Sequence, residues 1–236
     1  MNNKKILAII PARFGSKGIK NKNLKKINGN NTLFDICVKE ALKSKMLTNI
    51  AVSSNDKKIL NKSNLYKKVI FIKRPKIYST DNASMLSVVI HAFDFLKKQQ
   101  LHYDYVMILQ VTCPFRKVED IDSAIKILIN KKQADTMISV SLMDDFHPAR
   151  MYKQKQHYLK SLDKNQMSAN RQKLDKIYHR NGLIYLFKVD NLNKYNSFYG
   201  KKIIPFLIER TRSLNIDNYD DLIYARAIAK NKITIT

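Results

Sequence analysis

Residues 6 to 23 read I-L-A-I-I-P-A-R-F-G-S-K-G-I-K-N-K-N. Four cationic side chains, Arg13, Lys17, Lys20 and Lys22, are set around Gly15, Ser16 and Gly18. That mixture suits phosphate. Backbone N–H groups in such a loop converge on an anion, glycine lets the chain approach it closely, and the cations offset its charge. The glycine spacing fits neither G-x-x-x-x-G-K-[ST] nor G-x-G-x-x-G. Taken alone, the loop announces an anion and no particular nucleotide. Other donors cluster at Ser53-Ser54-Asn55, at Arg74-Pro75 and in Q-V-T-C-P-F-R from Gln110 to Arg116. The histidines, among them His91, His147, His157 and His179, sit in no spacing that predicts a catalytic triad or a metal cluster, and are read as structural.

Each donor group follows an apolar run. Ile6 to Ile10, Ile50 to Ser53, Lys68 to Ile72 and Tyr105 to Leu109 read as buried strands. Between them lie helical patterns: Thr32 capping a helix to about Lys45, Asn55 or Asp56 capping a short one, and Asp81 capping a third to about Lys98. Val118 to Asn130 continues the alternation, then Thr136 to Val140, Leu183 to Phe187 and Ile203 to Ile208 as strands, with Pro205 marking an edge. Asp217 or Asn218 starts a last helix. The pattern predicts an α/β fold, a mostly parallel Rossmann-like sheet with helices on both faces. Ligands of such sheets sit beyond the carboxyl ends of the strands, where these donors fall. Residues 141 to 182 break the alternation and read as an excursion from one domain spanning 1 to 236.

Composition narrows the function classes. The formal net charge is +25, with the lysines spread along the chain and no like-charge tail. A basic nucleic-acid-binding protein is the competing class, yet no nucleic-acid-binding motif is present and the aromatics fit apolar faces, so no specific nucleic acid is expected. No apolar stretch approaches a membrane span, the strand pattern starts at Ile6, and two cysteines, Cys37 and Cys113, form no disulfide framework. These features predict a cytoplasmic protein without membrane partners.

Five ordered segments carry a resemblance. I-I-P-A-R-F-G-S-K-G-I-K-N-K-N-L, R-P-K-I-Y-S-T-D-N-A-S from Arg74, L-Q-V-T-C-P-F-R from Leu109, R-Q-K-L-D-K-I-Y-H-R-N-G-L-I-Y from Arg171 and S-L-N-I-D from Ser213 together resemble the CMP-sialic acid synthetases and their bacterial nonulosonate relatives. The Kdo-type cytidylyltransferases open instead with a loop like A-R-x-x-S-x-R-L-P-G-K, which residues 18 to 23 do not match. The resemblance implies a fold of the nucleotide-diphospho-sugar transferase type and transfer of CMP from CTP to a nine-carbon sugar acid, such as sialic, legionaminic or pseudaminic acid, with Mg²⁺ as cofactor. It also implies a homodimer formed through the excursion.

Roles follow from the same resemblance. Arg13, Ser16 and Lys22 would hold CTP phosphates, and Asn23, Arg74 and Ser84 would contact the nucleotide. Gln110, Thr112, Arg171, Gln172, Tyr178 and Asn181 would bind the sugar acid. Asp217 and Asn215 would hold the metal, and Arg13, Lys22 and Asp217 would carry catalysis. Bland readings stand beside these: a solvated Lys22, a strand-end ion pair for Arg74, a subunit contact for Arg171 and Gln172, fold-building for Tyr178 and Asn181, and a helix cap for Asp217. Three departures bear on the chemistry. Asn215 replaces the first aspartate of a late Asp-x-Asp, Val111 and Cys113 replace a proline and a serine, and Asn170 stands where a second arginine is common. Asn215 also keeps open a chain that retains the fold without activity.

Overall fold

The first strand, β1 (Ile6–Pro11), alternates its side chains between two cores. Ile6, Ala8 and Ile10 enter one, and Leu7 and Ile9 the other. A strand apolar on both faces belongs in the middle of a sheet. The computed structural model, which describes residues 4–143 and 146–230, places it there.

The remaining elements, in chain order, are β2 (Lys26–Asn28), β3 (Asn31–Thr32), α1 (Leu33–Lys43), β4 (Asn49–Ser54), α2 (Lys57–Leu60), β5 (Val69–Lys73), α3 (Met85–Lys98), β6 (Tyr105–Ile108), α4 (Val118–Asn130), β7 (Thr136–Leu142), β8 (Tyr152–Lys155), β9 (Tyr158–Ser161), β10 (Tyr178–Lys188), α5 (Asp190–Tyr195), β11 (Ile203–Leu207) and α6 (Tyr219–Lys230). The central sheet has seven strands in the order β11-β7-β10-β6-β1-β4-β5. Strand β10 runs antiparallel to β6 and β7, and the other pairings are parallel. Helices α1, α4 and α6 pack on one face through residues such as Phe34, Ile125 and Leu222. Helices α3 and α5 cover the other through Val89, Leu96 and Leu192. The expected mostly parallel sheet with helices on both faces is the observed fold.

Local chemistry explains several boundaries. Thr32 caps α1 in a reciprocal capping box with Asp35, whose carboxylate also receives Lys62 at 2.8 Å and the Tyr66 hydroxyl at 2.8 Å. Pro205 sits on the edge strand β11, where a missing N–H costs least. Asp81 departs from expectation. Helix α3 starts four residues later, capped by Ser84, whose hydroxyl accepts the Ser87 N–H at 3.1 Å. Asp81 is drawn instead to Arg13 and Lys17. The excursion holds the hairpin β8–β9, joined only to itself in the sheet topology, and includes Asp144 and Asp145, which lie outside the described residues. Its far end already belongs to the sheet: β10 begins at Tyr178, five residues before the apolar run at Leu183.

Candidate functional site

The ends of β1, β5 and β6 converge on an open cleft of about 450 Å³. Arg13, Ser16, Lys17, Gly18, Lys22, Asn23, Arg74, Gln110, Thr112, Asn215 and Asp217 line it. The loop after β1 is built rather than loose. Ile19 is fully buried beneath it, and Gly15 takes φ +81°, a backbone conformation that glycine adopts without steric cost. The Asn23 amide, 8% exposed, donates to the Arg13 carbonyl at 2.9 Å. Asn55 Oδ1 accepts the Phe14 N–H at 2.8 Å, and the Ser54 hydroxyl donates to the Ala12 carbonyl at 2.6 Å. Gly18 is required for another reason: a Cβ there would stand 2.1 Å from the Asp217 carbonyl oxygen.

Charge in this cleft is one-sided. Arg13, Lys17, Lys22 and Arg74 line it against a single carboxylate, Asp217. Arg74 is 4% exposed and donates to the Ser53 hydroxyl at 3.0 Å and the Ser53 carbonyl at 2.5 Å. No carboxylate among the described residues pairs with it, so the ion-pair reading of Arg74 does not hold. Burial, then the neighbouring Arg13 charge, bring its pKa down to about 10, which leaves it cationic at neutral pH. Arg13 and Lys17 share the Asp81 carboxylate at 2.7 and 3.1 Å. That hydrogen bonding, Arg13 first, holds Asp81 below the usual carboxylate range. Lys22, with its side chain 11% exposed, donates to Asp217 Oδ1 at 2.9 Å and to the Ile216 carbonyl at 2.8 Å, so it is not a solvated lysine.

A second cleft of about 590 Å³ adjoins the first and shares Gln110, Asn215 and Asp217 with it. Its walls come from the middle of β10 and from residues 213 to 221. Here β10 shifts register against β7 between Arg180 and Tyr185. Gly182, at φ +81°, makes room for Gln110: a Cβ would lie 2.6 Å from Gln110 Oε1. Asn181, 3% exposed, locks the irregularity. Its amide donates to the Ser141 and Ser213 hydroxyls at 3.1 and 3.0 Å, and its carbonyl accepts from the Ser139 hydroxyl at 2.6 Å. A buried amide satisfied on every side fixes the backbone that carries the cleft wall.

The junction between the clefts holds the metal candidates. Asp217 is not the helix cap: Asn218 Oδ1 accepts the Asp221 N–H, while the Asp221 carboxylate accepts the N–H groups of Asp217 and Asn218. This leaves the Asp217 side chain to the cleft. Its Oδ1 meets Lys22 and its Oδ2 accepts the Asn215 amide at 2.6 Å. Asn215 turns its nitrogen toward Asp217, and its carbonyl accepts from the Cys113 thiol at 3.7 Å. Burial pushes that thiol up to about 12, so it stays protonated and able to donate. No group of three or more His, Cys, Asp or Glu suited to a metal occurs among the described residues. A Mg²⁺ ion that keeps water and takes nucleotide oxygens needs one or two carboxylates, and Asp217 fits that donor set.

Of the residues expected in the site, Arg13, Ser16, Lys22, Asn23, Arg74, Gln110, Thr112, Asn181, Asn215 and Asp217 line one cleft or both. Ser84 lies one residue outside the first cleft's lining, where Met85 takes its place. Arg171 and Gln172 form an exposed turn, and Tyr178 is an exposed residue at the start of β10; none of the three lines either cleft. Arg116, counted among the strand-end donors, points inward. It is 3% exposed and donates to the Leu183 carbonyl at 2.7 Å and the Cys37 sulfur at 2.9 Å, tying the end of β6 to β10 and α1. Sequence reasoning missed Asp81 as an ion-pair partner and Arg180 as a wall residue; the Asn-Gly that follows Arg180 was the available sign of a bulge.

A family model described as cytidylyltransferase matches residues 7–234. The chain is 28% identical over 230 residues to the N-acylneuraminate cytidylyltransferase of Escherichia coli O18:K1:H7, covering 97% of this chain and 53% of that protein, so it spans about half of that relative's length. It is 29% identical over 224 residues to the CMP-N,N'-diacetyllegionaminic acid synthase of Legionella pneumophila, covering 90% and 91% of the two. Among solved structures, a CMP:2-keto-3-deoxy-manno-octonic acid synthetase complexed with CTP superposes with a TM-score of 0.71 at 16% identity, over 97% of this chain and all of that one. At that identity the likeness concerns the fold.

Proposed function

The chain belongs to the cytidylyltransferase family and is a nucleotidyltransferase, and from that premise we propose that it transfers CMP from CTP to the anomeric hydroxyl of a nine-carbon 2-keto sugar acid, releasing pyrophosphate. The observation that carries the reading is the pair of clefts joined at Gln110, Asn215 and Asp217. One is strongly cationic, as a triphosphate requires; the other is polar and holds a single arginine, Arg180, which suits a hydroxyl-rich acid with one carboxylate. Similarity to enzymes named for N-acylneuraminate and for diacetyllegionaminic acid supports the acceptor class. The departure of the opening loop from the Kdo pattern points the same way.

The mechanism follows from the side chains. Arg13, Lys17 and Lys22 hold the phosphates, with Ser16 and the loop amides beside them, and Asn23 fixes the loop that presents them. Phosphoryl transfer of this kind needs aligned cations and donors more than a covalent nucleophile. The anomeric oxygen bonds to the α-phosphorus, its proton passing to solvent water, as the bond from that phosphorus to the oxygen bridging it to the β-phosphorus breaks and pyrophosphate leaves. Gln110, on the wall of both clefts, orients the attacking group. Mg²⁺ held by Asp217 and by phosphate oxygens would offset charge on the departing pyrophosphate. Lys22 sits on the Asp217 carboxylate in the free protein, so the ion would take its place there and release Lys22 to the phosphates.

A homodimer through the excursion belongs to this reading. Tyr158 and Leu159 on the β8–β9 hairpin are 77% and 69% exposed, an apolar tip that supports a subunit contact. It would bring Arg171 and Gln172 toward a partner's cleft. No helix of the described residues is long and apolar enough to cross a membrane. The test is pyrophosphate release from CTP and Mg²⁺ with sialic, legionaminic or pseudaminic acid. Release with one of them is expected; silence with all three defeats the proposal.

A further inference from the structure

The second cleft is lined by two carboxylates, Asp217 and Asp221, one histidine, His179, and one arginine, Arg180. Both carboxylates are engaged, Asp217 by Lys22 and Asn215 and Asp221 by the start of α6. Arg180 differs: no carboxylate among the described residues pairs with it. Its guanidinium lies over the rings of Tyr185 and Tyr199, 5.8 and 5.6 Å from their centroids, and its Nη1 donates to the Tyr199 hydroxyl. Tyr185 is itself fixed, 7% exposed and edge-on to Phe198 at 5.7 Å. A guanidinium packed on ring faces keeps in-plane N–H groups available, and the fork they form matches a carboxylate.

The backbone beneath Arg180 is equally constrained. Arg180 pairs with Val140 on β7, and the next residue, Asn181, is the buried amide that holds the register shift. A bulge held this way re-aims the side chain beside it. The result is a cation aimed in advance, in a cleft whose two carboxylates are both engaged by other groups.

We propose that Arg180 is a specificity-determining residue for the acceptor: its guanidinium binds the acceptor's carboxylate and so selects a sugar acid over a neutral sugar. This rests on the cytidylyl-transfer reading above and sharpens it. The carboxylate and the anomeric hydroxyl of a 2-keto sugar acid share one carbon, so Arg180 and Gln110, which both line the second cleft, would hold the same reacting end of the acid.

The test uses Arg180→Gln and Arg180→Lys in the full chain, with thermal melts to establish that both fold as the exposed position implies. With N-acetylneuraminic acid or the best acceptor found, Arg180→Gln is expected to raise the acceptor KM by about 30-fold or more, the scale of losing a charge-assisted contact. The KM for CTP should stay within about twofold. Wild type should prefer the acid over its carboxamide, Arg180→Gln should lose that preference, and Arg180→Lys should restore part of it. An acceptor KM within about twofold of wild type, or equal rises for acceptor and CTP, overturns the assignment. If wild type releases no pyrophosphate with any acid, the transfer reading has failed separately. Calorimetric binding of the free acid to wild type and Arg180→Gln then decides Arg180, and equal affinities reject it.

Discussion

The two clefts are built on opposite principles. The first stands on the ends of three parallel strands, and its chemistry comes from one contiguous loop, residues 13 to 23, reinforced by Arg74. The second stands on the one antiparallel strand of the sheet, at a bulge, and its residues come from distant stretches: 110, 179 to 185 and 213 to 221. Four basic side chains against one acid line the first; one arginine against two acids lines the second. A triphosphate calls for a block of charge, which a short loop supplies. A sugar acid calls for one charge in the right place, which takes a rigid wall and many small contacts.

If this division is sound, damage to the first cleft falls on turnover with every acceptor. Arg13→Ala should cut kcat by about 10²- to 10³-fold, the usual effect of removing one charge stabiliser from a transition state; near-normal steady-state turnover would remove Arg13 from the site. Damage to the second cleft's wall should appear as stability and acceptor affinity. Asn181→Ala removes one buried hydrogen bond from each of the Ser139, Ser141 and Ser213 hydroxyls and should cost about 1–3 kcal/mol. A melting temperature lower by several degrees with an unchanged CTP KM is the expected result; a lost CTP affinity would mean the walls are not separate.

The junction is tested by Asn215→Asp, which returns a second carboxylate beside Asp217. Charge at that range is worth roughly 1 to 4 kcal/mol, depending on the effective dielectric. Mg²⁺ affinity, read by calorimetry, should rise about tenfold, with a lower melting temperature in metal-free buffer that added Mg²⁺ restores. Unchanged affinity would detach Asp217 from the metal. The smallest effect belongs to Asp81→Asn. Removing the acid that Arg13 and Lys17 share should lower the CTP KM by about two- to fivefold at low salt, because exposed pairs are weak and screened. A raised KM would make Asp81 part of the binding apparatus instead.

The same division explains what the sequence disclosed. Helix α4 has the expected bounds, Val118 to Asn130, because a 3.6-residue apolar period is a local signal. The first cleft was legible for a related reason: its cations sit within ten residues of each other after an apolar strand. Asp81 was misread because its capping chemistry and its pairing with Arg13 depend on a fold contact that sequence spacing does not contain. Short elements also escaped notice, the β2–β3 hairpin and α5 among them, since their residues lack a periodic stretch. Arg180 was quoted within a motif and given no role. Its significance arises from Tyr199 and from the register shift, both invisible along the chain. Arg116 shows the converse error, a donor at the right strand end whose side chain serves the core.

Gly18 links the two halves mechanically. The bare Cα of the phosphate loop lies against the Asp217 carbonyl, and the Asp217 side chain lines both clefts. The loop and the 215–217 segment therefore cannot close on each other any further, and a move of one toward the other must carry both. Whatever factor the nucleotide imposes on acceptor affinity, the acceptor must return to the nucleotide. Gly18 is the contact across which that factor would pass, and a methyl group there would wedge the loop away from the Asp217 backbone.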